Sequence, residues 1–390
     1  SDKAMVTDRK TANIVVKVIV LDENDNKPQF SKSSYTVDVR EDVDIAGNPV
    51  ILDIEATDAD EGDNGLVRYS ITGGNVQETF YINDITGELS LRQPLDYERM
   101  NSYRLNIRAQ DSGVPHRSNS TTVLVRVIDV NDNDPRFYTS LYQESVLENV
   151  AIGYTIMQVQ AYDSDAGLNA ALIYSIKDAI KDLPIRIDPQ SGSLTTIKEL
   201  DREQHERFSF RVEARDQGDP VRSASAGIEI TIRDVNDNAP IFNPKVYSEI
   251  VSEEAMLGTP VVYVTAADAD ADEHSRVTYA IASGNDMNTF NIISQMGHGL
   301  ITVARTLNYK EKSRYILTIT ASDPGNLIDT ATVFINVSDA NTYRPVFQNT
   351  PYAVRVDEDT TVGTTIFQVT ATDQDSDENA RISYTVDDNQ

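Results

Sequence analysis

Carboxylates recur in this sequence at fixed spacings, in a pattern suited to caging a hard cation. An Asp-x-Asp pair stands at Asp58/Asp60, Asp163/Asp165, Asp268/Asp270 and Asp373/Asp375, each counted from its first Asp eleven residues before a tyrosine (Tyr69, Tyr174, Tyr279, Tyr384). A single Glu precedes each pair, at Glu41, Glu148, Glu253 and Glu358. Leu95-Asp96-Tyr97-Glu98 matches Leu200-Asp201-Arg202-Glu203, and Ala109-Gln110-Asp111 matches Ala214-Arg215-Asp216 and Ala321-Ser322-Asp323, with Ser1-Asp2 as the remnant of a further copy. Any one Asp reads as a solvated loop charge. The set does not, because two carboxylates about 4 Å apart repel by roughly 4 kcal/mol at an effective dielectric near 20. Such a convergence needs a neutralising partner. Ca²⁺ accepts about six to eight carboxylate, amide and backbone oxygens, whereas Mg²⁺ prefers a smaller octahedral site that keeps its waters. Zinc lacks ligands here: there is no Cys, and the four His (His116, His205, His274, His298) are scattered. No EF-hand loop is present, since no Asp-x-[Asp/Asn]-x-[Asp/Asn]-Gly run ends in the required Glu between helical segments.

The acids sit on a repeat. Asp22-Glu23-Asn24-Asp25-Asn26 returns as Asp129-Val130-Asn131-Asp132-Asn133 and Asp234-Val235-Asn236-Asp237-Asn238, with a weaker copy in Asp339-Ala340-Asn341-Thr342-Tyr343, so the first Asp steps by 107, 105 and 105 residues. Pro28, Pro135, Pro240 and Pro345 keep that step, as do Phe30, Phe137, Phe242 and Phe347, with Tyr35, Tyr142, Tyr247 and Tyr352 five residues after each Phe. Four markers sharing one period define a tandem array. The expected divisions are the end of one unit with its linker at 1–26, units at 27–133, 134–238 and 239–343 (the last with a degenerate linker), and the start of another at 344–390.

Within each unit the apolar pattern has period two. Ile14–Val20 and Thr121–Ile128 are β-branched runs, and Val37 and Val39 alternate with Thr36, Asp38 and Arg40. Turns such as Thr86-Gly87 and Ser191-Gly192 break the runs, and no stretch of ten or more carries a helical stripe with caps. The expectation is all-β: about seven short strands per unit in a Greek-key β-sandwich, with small barrels sharing the same cues. Strand ends at one pole of a sandwich bring distant loops together, which is how carboxylates far apart in sequence would meet.

The 390 residues carry 62 Asp+Glu against 34 Lys+Arg, a net charge of −28. That charge disfavours nucleic acid and anionic membrane as partners, whose affinity comes from clustered Lys/Arg. Absence of Cys removes disulfide frameworks and thiol nucleophiles and gives no compartment signal. At 39% hydrophobic the chain is not of disordered composition. It has no apolar run long enough for a membrane helix and no apolar signal-peptide core. Two sequons, Asn119-Ser120-Thr121 and Asn336-Val337-Ser338, permit N-glycosylation and agree with export.

The Asp129–Asn133 linker followed by Pro135, with Asp163-Ser164-Asp165, Leu95-Asp96-Tyr97-Glu98 and the Glu and Ala-x-Asp positions, resembles cadherin extracellular repeats over the whole chain. Ser294-Gln295-Met296-Gly297-His298-Gly299-Leu300-Ile301 and the stretch from Asn336 to Phe347 resemble the flamingo/Celsr group of seven-pass planar-polarity cadherins, with the Fat/Dachsous giants as rivals.

The resemblance implies up to three Ca²⁺ between successive repeats. Near residue 131 it implies the acids Glu41, Asp96, Glu98, Asp129, Asp132, Asp163, Asp165 and Asp216, the side-chain oxygen of Asn131 and the carbonyls of Val130, Asn133 and Asn169, with Asp129 ranked below Asp132. Eight carboxylates facing three such ions would leave two negative charges. Near residue 236 the set is Glu148, Asp201, Glu203, Asp234, Asp237, Asp268, Asp270 and Asp323 with Val235, Asn236 and Asn238; His274 replaces Asn64 and Asn169 and is expected to use its carbonyl, not its imidazole. Near residue 24, Glu23, Asn24, Asp25, Asn26, Asp58, Asp60, Asn64 and Asp111 furnish only the third site, nearest the later repeat. Near residue 341, Asn308-Tyr309-Lys310 replaces Asp-Tyr-Glu and Thr342-Tyr343 replaces Asp-Asn, leaving Glu253, Asp339, Asn341, Asp373 and Asp375. That junction is expected to be calcium-poor, keeping at most the third site, with Lys310 standing in for charge and Tyr343 packing between repeats.

Extracellular modules bind Ca²⁺ at roughly 10⁻⁴–10⁻³ M, so such ions would fill outside the cell and stiffen a jointed string. The resemblance implies calcium-dependent cell–cell adhesion through repeats of the same or a related cadherin on an apposed cell. It also implies polarity signalling at cell junctions, and plasma-membrane attachment through parts outside this chain. With no Trp here, strand exchange through an N-terminal Trp is excluded, leaving antiparallel face-to-face overlap. The alternative is a non-adhesive spacer. Catalysis by paired acids such as Asp96/Glu98, as in glycosidases, is disfavoured because a metal-neutralised acid is a poor proton donor. No enzyme is expected.

Overall fold

The computed structural model describes residues 11–387, so the Ser1-Asp2 copy lies outside the described residues. The chain forms two compact units. One runs up to Glu144 and adds Gly153–Ile197 and Ser209–Glu229; the other consists of Ser145–Ile152, Lys198–Phe208 and the chain from Ile230 onward.

In the first repeat, a four-stranded sheet runs in the order Ser34–Arg40, Ser118–Ile128, Ser102–Gln110, Arg68–Gly73, with the first pair parallel and the others antiparallel. Val50–Asp53, Glu88–Leu91 and Phe80–Ile82 make a second sheet, and Gln29–Phe30 pairs with Ala56–Thr57. Counting the two broken strands once each gives the seven expected. The period-two rule places alternate residues inward: Leu105, Ile107, Ala109, Val123 and Val125 are fully buried. Each large apolar side chain so placed stabilises by about 1.5–3 kcal/mol.

The third repeat repeats this order with Val246–Ser252, Ile328–Ser338, Arg314–Ser322 and Thr278–Ser283, backed by a sheet of Ile241–Phe242, Pro260–Ala267, His298–Val303 and Phe290–Gln295. In the middle repeat, Ile173–Lys177 pairs antiparallel with Arg207–Arg215, and Ser193–Thr196 joins Thr155–Gln158 to Ile185–Ile187. Two short 3₁₀ turns, Val76–Glu78 and Asp286–Asn288, are the only helical segments among the described residues.

The tyrosine that follows each Asp-x-Asp has a structural reason. Tyr69 is buried, and its hydroxyl accepts from Ala56 N (2.8 Å) and donates to Ala56 O (3.2 Å), pinning the strand that leads into Asp58. Tyr174 and Tyr279 make the same pair of bonds to Ala161 and Ala266.

One expected strand is absent. Ile14–Val20 has no strand conformation, and Ile14, Val15 and Val20 stand 88%, 94% and 90% exposed. β-branching favours an extended chain, but a strand needs a neighbour to satisfy its N–H and C=O groups, and no described residues pair with it. Between residues 344 and 387 only Val346–Phe347 and Ala371–Thr372 pair, for the same reason.

Candidate metal centre

Burial singles out the motif acids. The buried carboxylates among the described residues are Glu41, Asp60, Asp111, Glu148, Asp165, Asp216, Asp270, Asp323 and Asp375, and every one belongs to the recurring set. Acids are almost never fully buried unless something pairs with them.

Near residue 131, Glu41 accepts hydrogen bonds from Tyr97 N (2.6 Å) and Val130 N (2.8 Å), so one side chain ties the Asp-x-Glu loop to the linker. Its carboxylate oxygens lie within 4.8 Å of those of Glu98 and Asp132, and a second group joins Glu98 to Asp129 and Asp165. Asp165 accepts from Asn133 N (3.3 Å) and Nδ2 (2.6 Å) and is positioned through Asp163, whose Oδ1 accepts from Asp165 N at 3.1 Å. Asp216 accepts from Gly218 N, Arg222 N and Asn131 Nδ2. Asp96 instead uses Oδ1 to cap its own turn on Arg99 N (2.8 Å), as Asp201 does on Gln204 N (2.9 Å).

The residues fit a cation that binds oxygen. Among the described residues, six buried side-chain oxygens have no hydrogen-bond partner: Asn24 Oδ1, Asp58 Oδ2, Asp129 Oδ1, Asn131 Oδ1, Asp163 Oδ2 and Asp268 Oδ2. Buried polar atoms are ordinarily paired, yet all six lie in the junction motifs, and five of them in corresponding positions: Asn24 with Asn131, and Asp58 with Asp163 and Asp268. Asn131 shows the design: its Nδ2 donates to Asp216 (3.0 Å) and Pro220 O (2.6 Å), which aims the bare oxygen away from them. Asn24 does likewise through Pro115 O (2.7 Å). All-oxygen donors of this kind suit Ca²⁺.

Crowded negative charge also shows in acidity. Desolvation, then the neighbouring Glu41 and Asp132 carboxylates, push the Glu98 carboxyl up to about 7. Calcium binding near residue 131 is therefore expected to release a proton, and affinity to rise with pH between roughly 5 and 8. For the calcium-free protein the sign is opposite. The folded state holds this proton more tightly than the unfolded one, so the stabilisation is full below the ordinary Glu value and is lost as pH rises through about 7. Titration in weak buffer measures the proton release directly; none at pH 6.5, or a release independent of Glu98→Gln, contradicts this.

Near residue 236 the scaffold recurs with one substitution of consequence. Glu148 accepts from Arg202 N (2.7 Å) and Val235 N (2.8 Å), and Glu148, Glu203 and Asp234 form one group while Asp268, Asp270 and Asp323 form another. Tyr97 and Tyr309 pack against the cores of their own repeats. Arg202, at the same position, turns its guanidinium onto Asp234 Oδ1 (2.6 Å), Glu203 and Ala269 O (2.8 Å). Asp234 Oδ2 meets His274 Nδ1 at 2.5 Å, and these partners hold the Asp234 carboxyl below its usual value although burial alone would raise it. The His274 ring thus serves Asp234, whose hydrogen bond raises the imidazole pKa.

Near residue 24, Asp60 accepts from Asn26 N (3.1 Å) and Nδ2 (2.5 Å), and Asn64 donates to Asp22 (3.0 Å). Near residue 341 the framework survives with fewer carboxylates, Glu253, Asp339, Asp373 and Asp375 remaining. Glu253 still accepts from Tyr309 N and Ala340 N, both at 2.9 Å, and Asp375 accepts from Thr342 N and Oγ1 (3.2 Å) and Tyr343 N. Lys310 Nζ lies over the Tyr343 ring, 4.6 Å from its centre. No acidic group of three forms there among the described residues, and Asn341 is exposed.

Sequence reasoning missed the glycine two residues after each Ala-x-Asp. A Cβ on Gly218 would overlap the Asn131 and Asn169 side chains, one on Gly113 would overlap Asn24 and Asn64, and one on Gly325 would press on Asn236. The signal was present as Asp-x-Gly at residues 111–113, 216–218 and 323–325. Also missed was Arg222, whose Nε donates to Asn131 O (2.9 Å), and Arg117, which donates to Asp25 O (2.9 Å).

The cadherin-domain family model matches residues 35–128, 142–233 and 247–338. The chain is 53% identical over 381 residues to the protocadherin-like wing polarity protein stan of Drosophila melanogaster, covering 97% of this chain and 11% of that protein. It is 48% identical over 389 residues to mouse cadherin EGF LAG seven-pass G-type receptor 2, covering all of this chain and 13% of the receptor. The chain thus spans only a small part of these relatives. Among solved structures, mouse cadherin-23 EC22-24 superposes with a TM-score of 0.70 at 31% identity, covering 81% of this chain and all of that one. The protocadherin gamma-B4 extracellular domain gives 0.76 at 29% identity, covering 93% of this chain and 58% of that one.

Proposed function

The chain belongs to the cadherin family, and from that premise we propose that it is part of a calcium-dependent cell–cell adhesion ectodomain serving planar cell polarity. Cadherin repeats are not enzymes, and they bind Ca²⁺ at their linkers. In this chain Glu41, Glu98, Asp129, Asp132, Asp163, Asp165, Asp216 and Asn131 hold up to three ions near residue 131, and the corresponding set does so near residue 236. Near residue 24, the linker residues Glu23, Asn24, Asp25 and Asn26 with Asp58, Asp60, Asn64 and Asp111 take the third ion, nearest the later repeat. The junction near residue 341 takes at most one and acts as a hinge. The observation that carries this reading is that, among the described residues, every buried carboxylate and every bare buried side-chain oxygen falls in the junction motifs.

Each ion draws ligands from two repeats and the linker, so bound Ca²⁺ fixes their mutual angle and loss of it frees them. The repeats lie outside the plasma membrane, attached through other parts of the parent protein, and meet repeats of the same or a related cadherin on an apposed cell. A spacer role without adhesion is the second reading.

Small-angle scattering in millimolar Ca²⁺ and in chelator is the test. An extended particle whose radius of gyration and flexibility change clearly on chelation is expected; superimposable profiles contradict calcium stiffening. Beads coated with the chain separate the two roles: clumping in Ca²⁺ supports adhesion, and dispersed beads favour the spacer.

A further inference from the structure

The outer face of the four-stranded sheet differs between the first and third repeats. In the first, Asp38 receives a two-pronged ion pair from Arg126 (2.7 and 3.2 Å) across the parallel strands. In the third, the corresponding registered pair is Ile250 and Asn336. Arg104, on the next strand of the first repeat, is matched by Ile316. Apolar side chains have replaced those charges: Val246, Ile250 and Ile316 are 58%, 72% and 51% exposed, and Phe334, between Ser248 and Ile316 in register, carries the Arg314 guanidinium over its ring, 4.8 Å from the centre.

Asn336 stands at the centre of this face, between Ile250 and Arg314, and begins the sequon Asn336-Val337-Ser338. Its neighbours Ile335 and Val337 are buried, so alternation sends Asn336 and Phe334 outward together. Its amide enters no hydrogen bond within the repeat. The other sequon is placed differently. Asn119 shares the inward-pointing alternation of Thr121 and Val123, and its Oδ1 accepts from Ser120 N at 2.9 Å.

We propose that Asn336 carries an N-linked glycan that covers this apolar face and removes it from protein contact. In the modification, Asn336 Nδ2 displaces the diphosphate of a lipid-linked oligosaccharide at its anomeric carbon. The N–C bond forms, the C–O bond breaks, the amide proton leaves, and the lipid diphosphate departs. The oligosaccharide then extends from Asn336 over Ile250 and Ile316, beside the Arg314 guanidinium that already lies over Phe334. Adhesive contact, where the repeats make it, is confined to other surfaces of this repeat.

The test is mass spectrometry of the chain secreted from eukaryotic cells, with and without peptide-N-glycosidase, alongside Asn336→Gln and Ser338→Ala. Near-full occupancy is expected at Asn336 and lower occupancy at Asn119; a bare Asn336 overturns the proposal. Ser338→Ala keeps the asparagine while removing the sequon. It is expected to bind an apolar dye several-fold more strongly than the glycosylated chain, or to self-associate where that chain stays monomeric. Equal dye binding and equal mass in solution for glycosylated and sequon-less chains overturn the shielding role, as does a dimer of the glycosylated chain that buries this face.

Discussion

Glu41→Ala is expected to abolish calcium binding near residue 131 at extracellular concentrations and to weaken the first repeat even in chelator. Both effects come from one side chain with two tasks. Its carboxylate belongs to the cluster with Glu98 and Asp132. Removing it should lower affinity by at least about 100-fold, since about 2.7 kcal/mol suffices for that and unit charges 4 Å apart exchange roughly 4 kcal/mol near a protein surface. The same oxygens satisfy Tyr97 N and Val130 N. Alanine strands those donors beside a buried site at a cost of about 1–3 kcal/mol, which urea unfolding in chelator measures. Glu41→Gln separates the tasks in part: its single amide oxygen accepts from one of the two backbone donors and the charge repulsion is relieved, so in chelator it is expected to be less destabilised than the alanine variant while calcium binding is still lost. Unchanged calcium affinity in the alanine variant contradicts the assignment.

Restoring the lost acids near residue 341 is expected to create calcium sites there. The change Asn308→Asp, Lys310→Glu and Thr342→Asp replaces a cation and two neutral groups with three carboxylates. The backbone they need already stands, because Glu253 and Asp375 hold the same loop and linker amides as their counterparts near residue 131. Calorimetric titration should show added ions binding at roughly 10⁻⁴–10⁻³ M. In chelator the variant should be less stable than wild type, since the new charges face Glu253 and Asp375 with Lys310 withdrawn from Tyr343. An ion count equal to wild type contradicts the hinge reading; so does a wild-type junction that already binds three.

Much of this was legible in the sequence because repetition removes ambiguity. One Asp-x-Asp says nothing, but four at a shared distance from a tyrosine imply one loop geometry, and Tyr69 bonded to Ala56 shows what that geometry is. The alternation of Val37 and Val39 with Thr36, Asp38 and Arg40 is kept in the fold, where Val39 is buried and Val37 packs against the core. The run Ile14–Val20 shows the limit: propensity marks a chain ready to be a strand, and pairing decides whether it becomes one. Arg202 shows another. Its position in the loop could be read, but its reach onto Asp234 and Ala269 depends on where the following repeat's backbone lies.

The sequence by itself determined the repeat, the all-β class and which acids act as sets, since each is a matter of residue type recurring at a spacing. The tertiary structure decided which oxygens of those sets lie bare and which are spent on backbone amides. It also decided that the third repeat's outer sheet face exposes Ile250 and Ile316 close to Asn336. Those depend on cross-strand register and on loop closure, where the hydrogen bond of 3.1 Å from Asp165 N to Asp163 Oδ1 leaves Oδ2 to face a cation. No one-dimensional spacing encodes that choice.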